Sequence, residues 1–200
     1  MREIVRLSDV AEIALGQTFR GKAEGSSSTS EIKLIQIKDI RDGVLSDVSS
    51  LPFANIDESK LKIVLRKNDL LLPLRGSRHE ASIFRPDVEY RHVTTTNQVA
   101  IIRPSEKAVS VEYLLWYFNS SIGRNRLASL ATGSTVSSIR GGDLASLTIP
   151  LPAFPVQARL ADMYFNWFRQ KEVLSEMITN GGNLTDRLCV DLLENGVLDG

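Results

Sequence analysis

Residues 148–178, TIPLPAFPVQARLADMYFNWFRQKEVLSEMI, decide how the rest of the chain is divided. Pro150, Pro152 and Pro155 hold the first part extended, because proline fixes φ, lacks an N–H donor and keeps the residue before it out of the helical region. An amphipathic pattern then begins near Val156 and runs for about 22 residues, or about 33 Å at 1.5 Å per residue. Leu160, Met163, Trp167, Leu174 and Met177 fall on heptad a and d positions, with Gln170 as the one polar d. That is a coiled-coil seam interrupted once by an amide. Phe165, Phe168, Val173 and Ile178 widen the apolar face. Gly181-Gly182 then predicts a break, and Asn183 caps a second, short helix over about Leu184–Leu193, giving a helical hairpin. The seam either packs inside this hairpin against Leu184, Leu188 and Leu192 or meets a partner, with Leu160, Met163, Trp167, Phe168, Leu174 and Met177 as the candidate interface.

Upstream of the prolines the pattern changes from helical to short and strand-like. Ile32–Ile37 alternates strictly, and 61–65, 70–74 and 99–102 are short apolar runs. Pro73 restricts its run to an edge strand or a strand end. Residues 4–15 alternate and then make a helical turn that Ser8 or Asp9 could cap. Val111–Asn119 reads as a helix capped by Ser110, with Glu112 in its first turn, and a second helix covers about Ile122–Leu130. Residues 144–151 return to strand. The fold class is therefore α/β in the α+β sense: a β-rich domain of short, irregular strands over 1–152, followed by a helical spacer or dimerisation region over 153–200. Irregular strand spacing does not suit a doubly wound parallel sheet.

Composition limits the function. The chain has 200 residues, 42% apolar and 24% charged, which suits one domain with an appendage. A single cysteine, Cys189, excludes an internal disulfide framework and a cysteine zinc site. No leader-like apolar core opens the sequence and no apolar run reaches membrane-spanning length, so the expectation is a cytoplasmic protein. The net charge is zero, yet residues 60–91 carry 8 Lys/Arg against 4 Asp/Glu, while residues 148–200 carry 4 against 7. A basic middle attracts phosphate locally even when the total is neutral.

Catalytic motifs are missing. There is no phosphate-binding G-x-x-x-x-G-K-[ST], no G-x-G-x-x-G and no G-x-S-x-G. His79 and His92 do not have metal-ligand spacing. Asp87 and Glu89 with Arg91 only echo a nuclease cluster, because they lie too close together to surround a metal. No metal, cofactor or catalytic residue is expected.

Recognition chemistry is present instead. Arg75, Ser77, Arg78 and His79 form a basic loop directly after an apolar strand, where arginine forks suit guanine edges and phosphates. A solvated turn paired with Asp69 or Glu80 is the alternative. Phe19, Arg20 and Lys22 sit in the Gly/Ser-rich loop 16–30, which is long for a plain connector. Asn97 and Gln98 have amides suited to adenine, or simply cap a turn. Ser134 and Thr135, in the loop Ala131–Ser138, and the nearby Arg140 can meet phosphate oxygens.

Several pieces in a fixed order resemble a known family: Val5-Arg6-Leu7-Ser8-Asp9-Val10 followed by Gly16; Leu65-Arg66-Lys67-Asn68-Asp69-Leu70-Leu71; Thr96-Asn97-Gln98; Val111-Glu112-Tyr113-Leu114; Ala131-Thr132-Gly133-Ser134; and Ile149-Pro150-Leu151-Pro152 with Gln157. Together they resemble a type I restriction–modification specificity subunit, in particular one target-recognition domain with one helical spacer. The resemblance implies a non-catalytic subunit that reads one half of a split double-stranded DNA target. It also implies docking to a methyltransferase subunit and, through that, to the restriction subunit, with helices setting the distance between target halves. The chain departs from the family in carrying one such domain, in having Val156 where an acidic residue commonly precedes the glutamine, and in a spacer that looks short. A half-subunit that pairs with itself through its helices is the reading that follows. The competing readings are an adaptor that uses only its helices and, less well supported by the residues, a metal-dependent nuclease.

Overall fold

The computed structural model describes residues 3–25, 31–41, 43–76, 79–86, 88, 90–133 and 136–196. The chain runs β1 (Glu3–Arg6), α1 (Leu7–Val10), β2 (Ala11–Leu15), β3 (Glu24–Gly25), β4 (Lys33–Ile35), β5 (Ile40–Arg41), β6 (Val44–Leu45), β7 (Phe53–Ala54), β8 (Leu70–Pro73), β9 (Ser82–Ile83), β10 (Val93–Thr95), β11 (Val99–Pro104), α2 (Val111–Asn119), α3 (Ser121–Leu130), α4 (Gly141–Ala145), β12 (Thr148–Leu151) and α5 (Phe154–Asn195). It divides into two compact units, Met1–Ala158 and Arg159–Gly200.

In the first unit, two four-stranded sheets have the orders β2-β11-β8-β9 and β10-β4-β7-β3. The first is antiparallel throughout. Its central strands are apolar on both faces: Leu70, Leu71, Leu72, Val99, Ala100, Ile101 and Ile102 are all fully buried. A strand covered on both sides reads as a continuous apolar run rather than an alternating one. One face, through Leu71, Val99 and Ile101, joins Ile35 and Val93 of the second sheet in the main core. The other lies under α2, which packs against β8 and β9. Pro73 ends its strand beyond the reach of β9, which pairs only with Leu70 and Leu71, so its missing N–H costs no ladder bond.

Caps and buried polar groups lock the elements in place. Ser110 caps α2 by accepting from the Tyr113 N–H at 3.1 Å. At α1 the N–H of Arg6 donates to Asp9 at 3.2 Å, so Asp9 acts from inside the turn. Asn119, buried at the end of α2, exchanges two hydrogen bonds with the backbone of Ala81, at 2.7 and 2.9 Å. Gln157 is buried in the first turns of α5. It accepts from the Ser110 N–H at 2.9 Å and donates to the Pro152 carbonyl at 2.9 Å. These bonds tie the start of the long helix to the cap of α2.

Residues 61–65 do not form the expected strand. Their backbone groups are taken by other partners: Thr94 Oγ1 donates to the Ile63 carbonyl at 2.7 Å, Arg103 Nη2 to the Val64 carbonyl at 2.9 Å, and the Lys62 N–H donates to Gln17 Oε1 at 3.1 Å. The short helix α4 lies where the sequence suggested the approach to β12.

The helical hairpin is corrected to one continuous helix. α5 extends from Phe154 to Asn195 through Gly181-Gly182. Neither glycine has a positive φ, and two glycines lower helix stability by about 1 kcal/mol each without breaking the hydrogen-bond ladder. Pro155 lies inside the first turn rather than before it, where its lack of an N–H costs nothing.

Candidate nucleic-acid interface

The three central strands of the β2-β11-β8-β9 sheet share one open end. β2 finishes at Leu15, β8 finishes at Pro73 and β11 starts at Val99, and Ala100 lies opposite Leu15 while Val99 lies opposite Pro73. The antiparallel register therefore brings the segments after Leu15, after Pro73 and before Val99 together. Backbone hydrogen bonds continue the join. Gly16 N–H donates to Val99 O at 3.1 Å, Gln17 N–H to Thr95 O at 2.7 Å, Asn97 N–H to Gln17 O at 3.0 Å and Leu74 N–H to Gln98 O at 2.8 Å. Gly16 has no room for a side chain, since a Cβ would lie 2.3 Å from the Thr96 carbonyl oxygen.

The polar loop before α4 joins the same end. Thr132 and Ser138 exchange backbone bonds at 2.9 Å, Gly76 N–H donates to Ser137 O at 3.0 Å, and Ile139 N–H donates to Leu74 O at 2.9 Å. Gly133, at φ +114°, makes the reversal within this loop. Arg140 then caps α4, and Gly141 packs beside Leu15.

Four candidate segments far apart in sequence are thus assembled on one backbone frame. Arg20, Lys22, Arg75, Asn97, Gln98 and Arg140 are all exposed there. Among the described residues, no carboxylate forms an ion pair with Arg20, Lys22, Arg75 or Arg140. The carboxyls held below their usual range lie elsewhere: hydrogen bonds from Lys38 and Gln36 stabilise ionised Glu24, and those from Ser49 stabilise ionised Asp47. Groups of three or more His, Cys, Asp or Glu able to hold a metal are absent among the described residues.

A cleft of about 590 Å³ adjoins this end, lined by Gln17, Phe19, Arg20, Asn55, Lys60 and Lys62 among others. Phe19 has a split role. It lines the cleft while packing against the small core of Ile32, Leu34 and Ala54. The cleft adds two lysines that the sequence reading missed. Lys62 has no ion-pair partner among the described residues, whereas Lys60 is held by Asp57 at 2.9 Å. Their only sequence signal was membership of the basic middle.

His79 is corrected from a contact residue to a packing residue. It is buried, and its Nδ1 lies 2.8 Å from the Pro73 carbonyl oxygen. The loop after β8 turns inward to reach α2 through Ala81 and Asn119, and carries the imidazole with it. Ser77, Arg78, Ser134 and Thr135 lie outside the described residues.

The profile of the family described as "Type I restriction modification DNA specificity domain" matches residues 2–178. The chain belongs to this family. Solved structures share the fold of the specificity-domain chain. The HsdS subunit from Thermoanaerobacter tengcongensis matches with TM-score 0.66 at 19% identity, over 88% of this chain and 39% of that one. A chain from a study of complex assembly and conformational transition of the type I R-M system matches with TM-score 0.68 at 19% identity, over 94% and 43%. The type I restriction-modification S subunit from M. genitalium matches with TM-score 0.61 at 16% identity, over 98% and 47%. The chain spans less than half the length of these solved chains. No curated protein matches it.

The stretches that carried the family resemblance serve mostly as frame. Asp69, 2% exposed, receives Arg103 Nε at 2.8 Å and the Arg66 N–H at 2.8 Å. Gln157 clamps the helix start as described above. In the second unit, Met163, Trp167, Leu174 and Met177 are exposed, Leu160 and Phe168 are half-buried, and Phe168 stacks with Tyr164 at 5.4 Å. No helix among the described residues is long and apolar enough to cross a membrane.

Proposed function

We propose that this chain is a non-catalytic DNA-reading module that recognises one half of a split double-stranded target with the open end of its central sheet. It docks a methyltransferase subunit and, through that, the restriction subunit, and it works in the cytoplasm. Its long helix is the spacer arm that joins this half-site reader to a second one, with a second copy of the chain as the candidate. Family membership supports DNA recognition. The observation that carries the assignment of the site is the convergence of residues 16–22, 75–76, 96–98 and 132–140 on one frame, with cations that have no carboxylate partner among the described residues. Arginine and amide side chains on a rigid backbone suit phosphate and base-edge contacts.

The test is anisotropy of labelled duplex DNA across a salt series, with and without the methyltransferase subunit. The double reversal Arg75→Glu with Arg140→Glu should weaken binding on the order of 100-fold and flatten the salt dependence, since each phosphate contact contributes a slope of about 0.9. Thermal stability should not move, because both side chains are exposed. Unchanged affinity would remove the site from this end of the sheet. No affinity for DNA even with the methyltransferase present would favour the adaptor reading.

A further inference from the structure

Every residue of α5 from Arg169 to Glu194 is exposed. The apolar seam residues Met163, Trp167, Leu174, Met177, Leu184 and Leu188 are between 41% and 65% exposed. Helices gain most of their stability from packing such a stripe, so a seam this long calls for a cover. Gly181 also lies on the seam. A Cβ there would meet nothing within 4 Å, so the single chain gives no reason for this poor helix former.

We propose that the cover is a second copy of this chain, paired antiparallel, with the two-fold axis between Ser175 and Glu176. This deepens the spacer-arm reading and rests on it for its role, though not for its geometry. In an antiparallel pair an a position faces a d position. Centred here, Leu174 faces Met177 of the second copy, Trp167 faces Leu184, and Met163 faces Leu188. The one polar seam residue between them, Gln170, faces the one seam position without a side chain, Gly181. The glycine then has a purpose, because it leaves room for the amide. The flanks agree: Arg159 faces Glu194, while Lys171 faces Ile178 and Arg187 faces Asn166, so no like charges oppose.

Other arrangements lose this match. A slip of one heptad sets Trp167 against Asp191 and Leu188 against Gln170. A parallel, in-register pair stacks Gly181 on Gly181 and Asp191 on Asp191. Self-complementarity in a single register is what selects a second copy over an unrelated helix.

Light scattering on the whole chain at micromolar concentration should give a dimer. Spin labels on the native Cys189 should lie about 40 Å apart along the pair, and labels at Glu176→Cys in a Cys189→Ser background should be carried by helices about 10 Å apart. Met163→Lys and Leu188→Glu should each weaken dimerisation on the order of tenfold or more, and the two together should restore it, because the layer pairs one position with the other across the interface. A monomer, a monomer that binds only a methyltransferase, a short Cys189 distance or an absence of rescue would each overturn the proposal. DNA affinity is read separately on the same samples. A monomer that binds DNA overturns only the pairing, and a dimer with the stated distances that ignores DNA overturns only the DNA reading.

Discussion

The two ends of the central sheet are built from the same strands and similar residue types, yet they differ in where the charges go. At the open end, Arg20, Arg75 and Arg140 extend from a tightly bonded backbone without carboxylate partners among the described residues. At the opposite end, a cleft of about 790 Å³ is lined by residues 8–12, 66–69 and 103–112 among others, and its charges are largely matched. Arg103 holds Asp69 at 2.8 Å and approaches Glu12 at 3.7 Å, and Arg85 pairs with Glu112. Matched charges spend their hydrogen bonds on the fold, whereas unmatched ones keep them for something else. The difference explains why most of the resemblance-bearing stretch from Leu65 to Leu71 is architecture and why the reading groups lie at the other end of the same strands.

The largest test of this contrast is at the matched end. Asp69→Ala would strip Arg103 and the Arg66 N–H of a buried acceptor and should cost about 3 kcal/mol in chemical denaturation, as expected when one partner of a buried pair is removed. The reversal at Arg75 and Arg140 should leave the same denaturation midpoint in place. A cost below about 1 kcal/mol for Asp69→Ala would end the division into a structural and a functional end.

The next test separates frame from side chains at the open end. Gly16→Ala would drive a Cβ to 2.3 Å from the Thr96 carbonyl. Overpacking of this kind should cost about 2 kcal/mol and loosen the join between the 16–20 and 96–98 segments, lowering DNA affinity without removing any polar side chain. Amide hydrogen exchange should show faster exchange at Gln17 and Asn97, whose N–H groups bond across that join. Unchanged protection there would mean that the frame does not depend on this close approach.

The parts of this picture that were legible in the sequence are those set by local rules. Ser110 as the cap of α2, the buried run at 70–73 and the proline-marked start of α5 all follow from hydrogen-bonding groups within a few residues of one another. The misread parts depend on distant partners. Residues 61–65 have a strand's composition, but side chains of Thr94, Arg103 and Gln17 take their backbone groups. His79 sits among basic residues, yet a carbonyl six residues earlier captures it. Gly181-Gly182 looked like a break because propensity was weighed as if it were decisive, when two glycines only reduce the stability of a long helix. The open end was legible as four separate polar segments. That they form one surface depends on strand register, which spacing along the chain does not reveal.

Lys62 gives the smallest test and the most selective one, because it differs from Lys60 mainly in pairing. Both line the same cleft and both are exposed, but Lys60 is held by Asp57 and Lys62 has no ion-pair partner among the described residues. If free charge is what marks the reading surface, Lys62→Gln should lower the salt slope of DNA binding by about 0.9 and leave stability within about 0.5 kcal/mol of the parent. Lys60→Gln should change the slope less, because its charge is already partly spent on Asp57. Equal effects would mean that proximity to the cleft, and not the absence of a partner, decides which cations meet DNA. No effect from either would confine the interface to the sheet end itself.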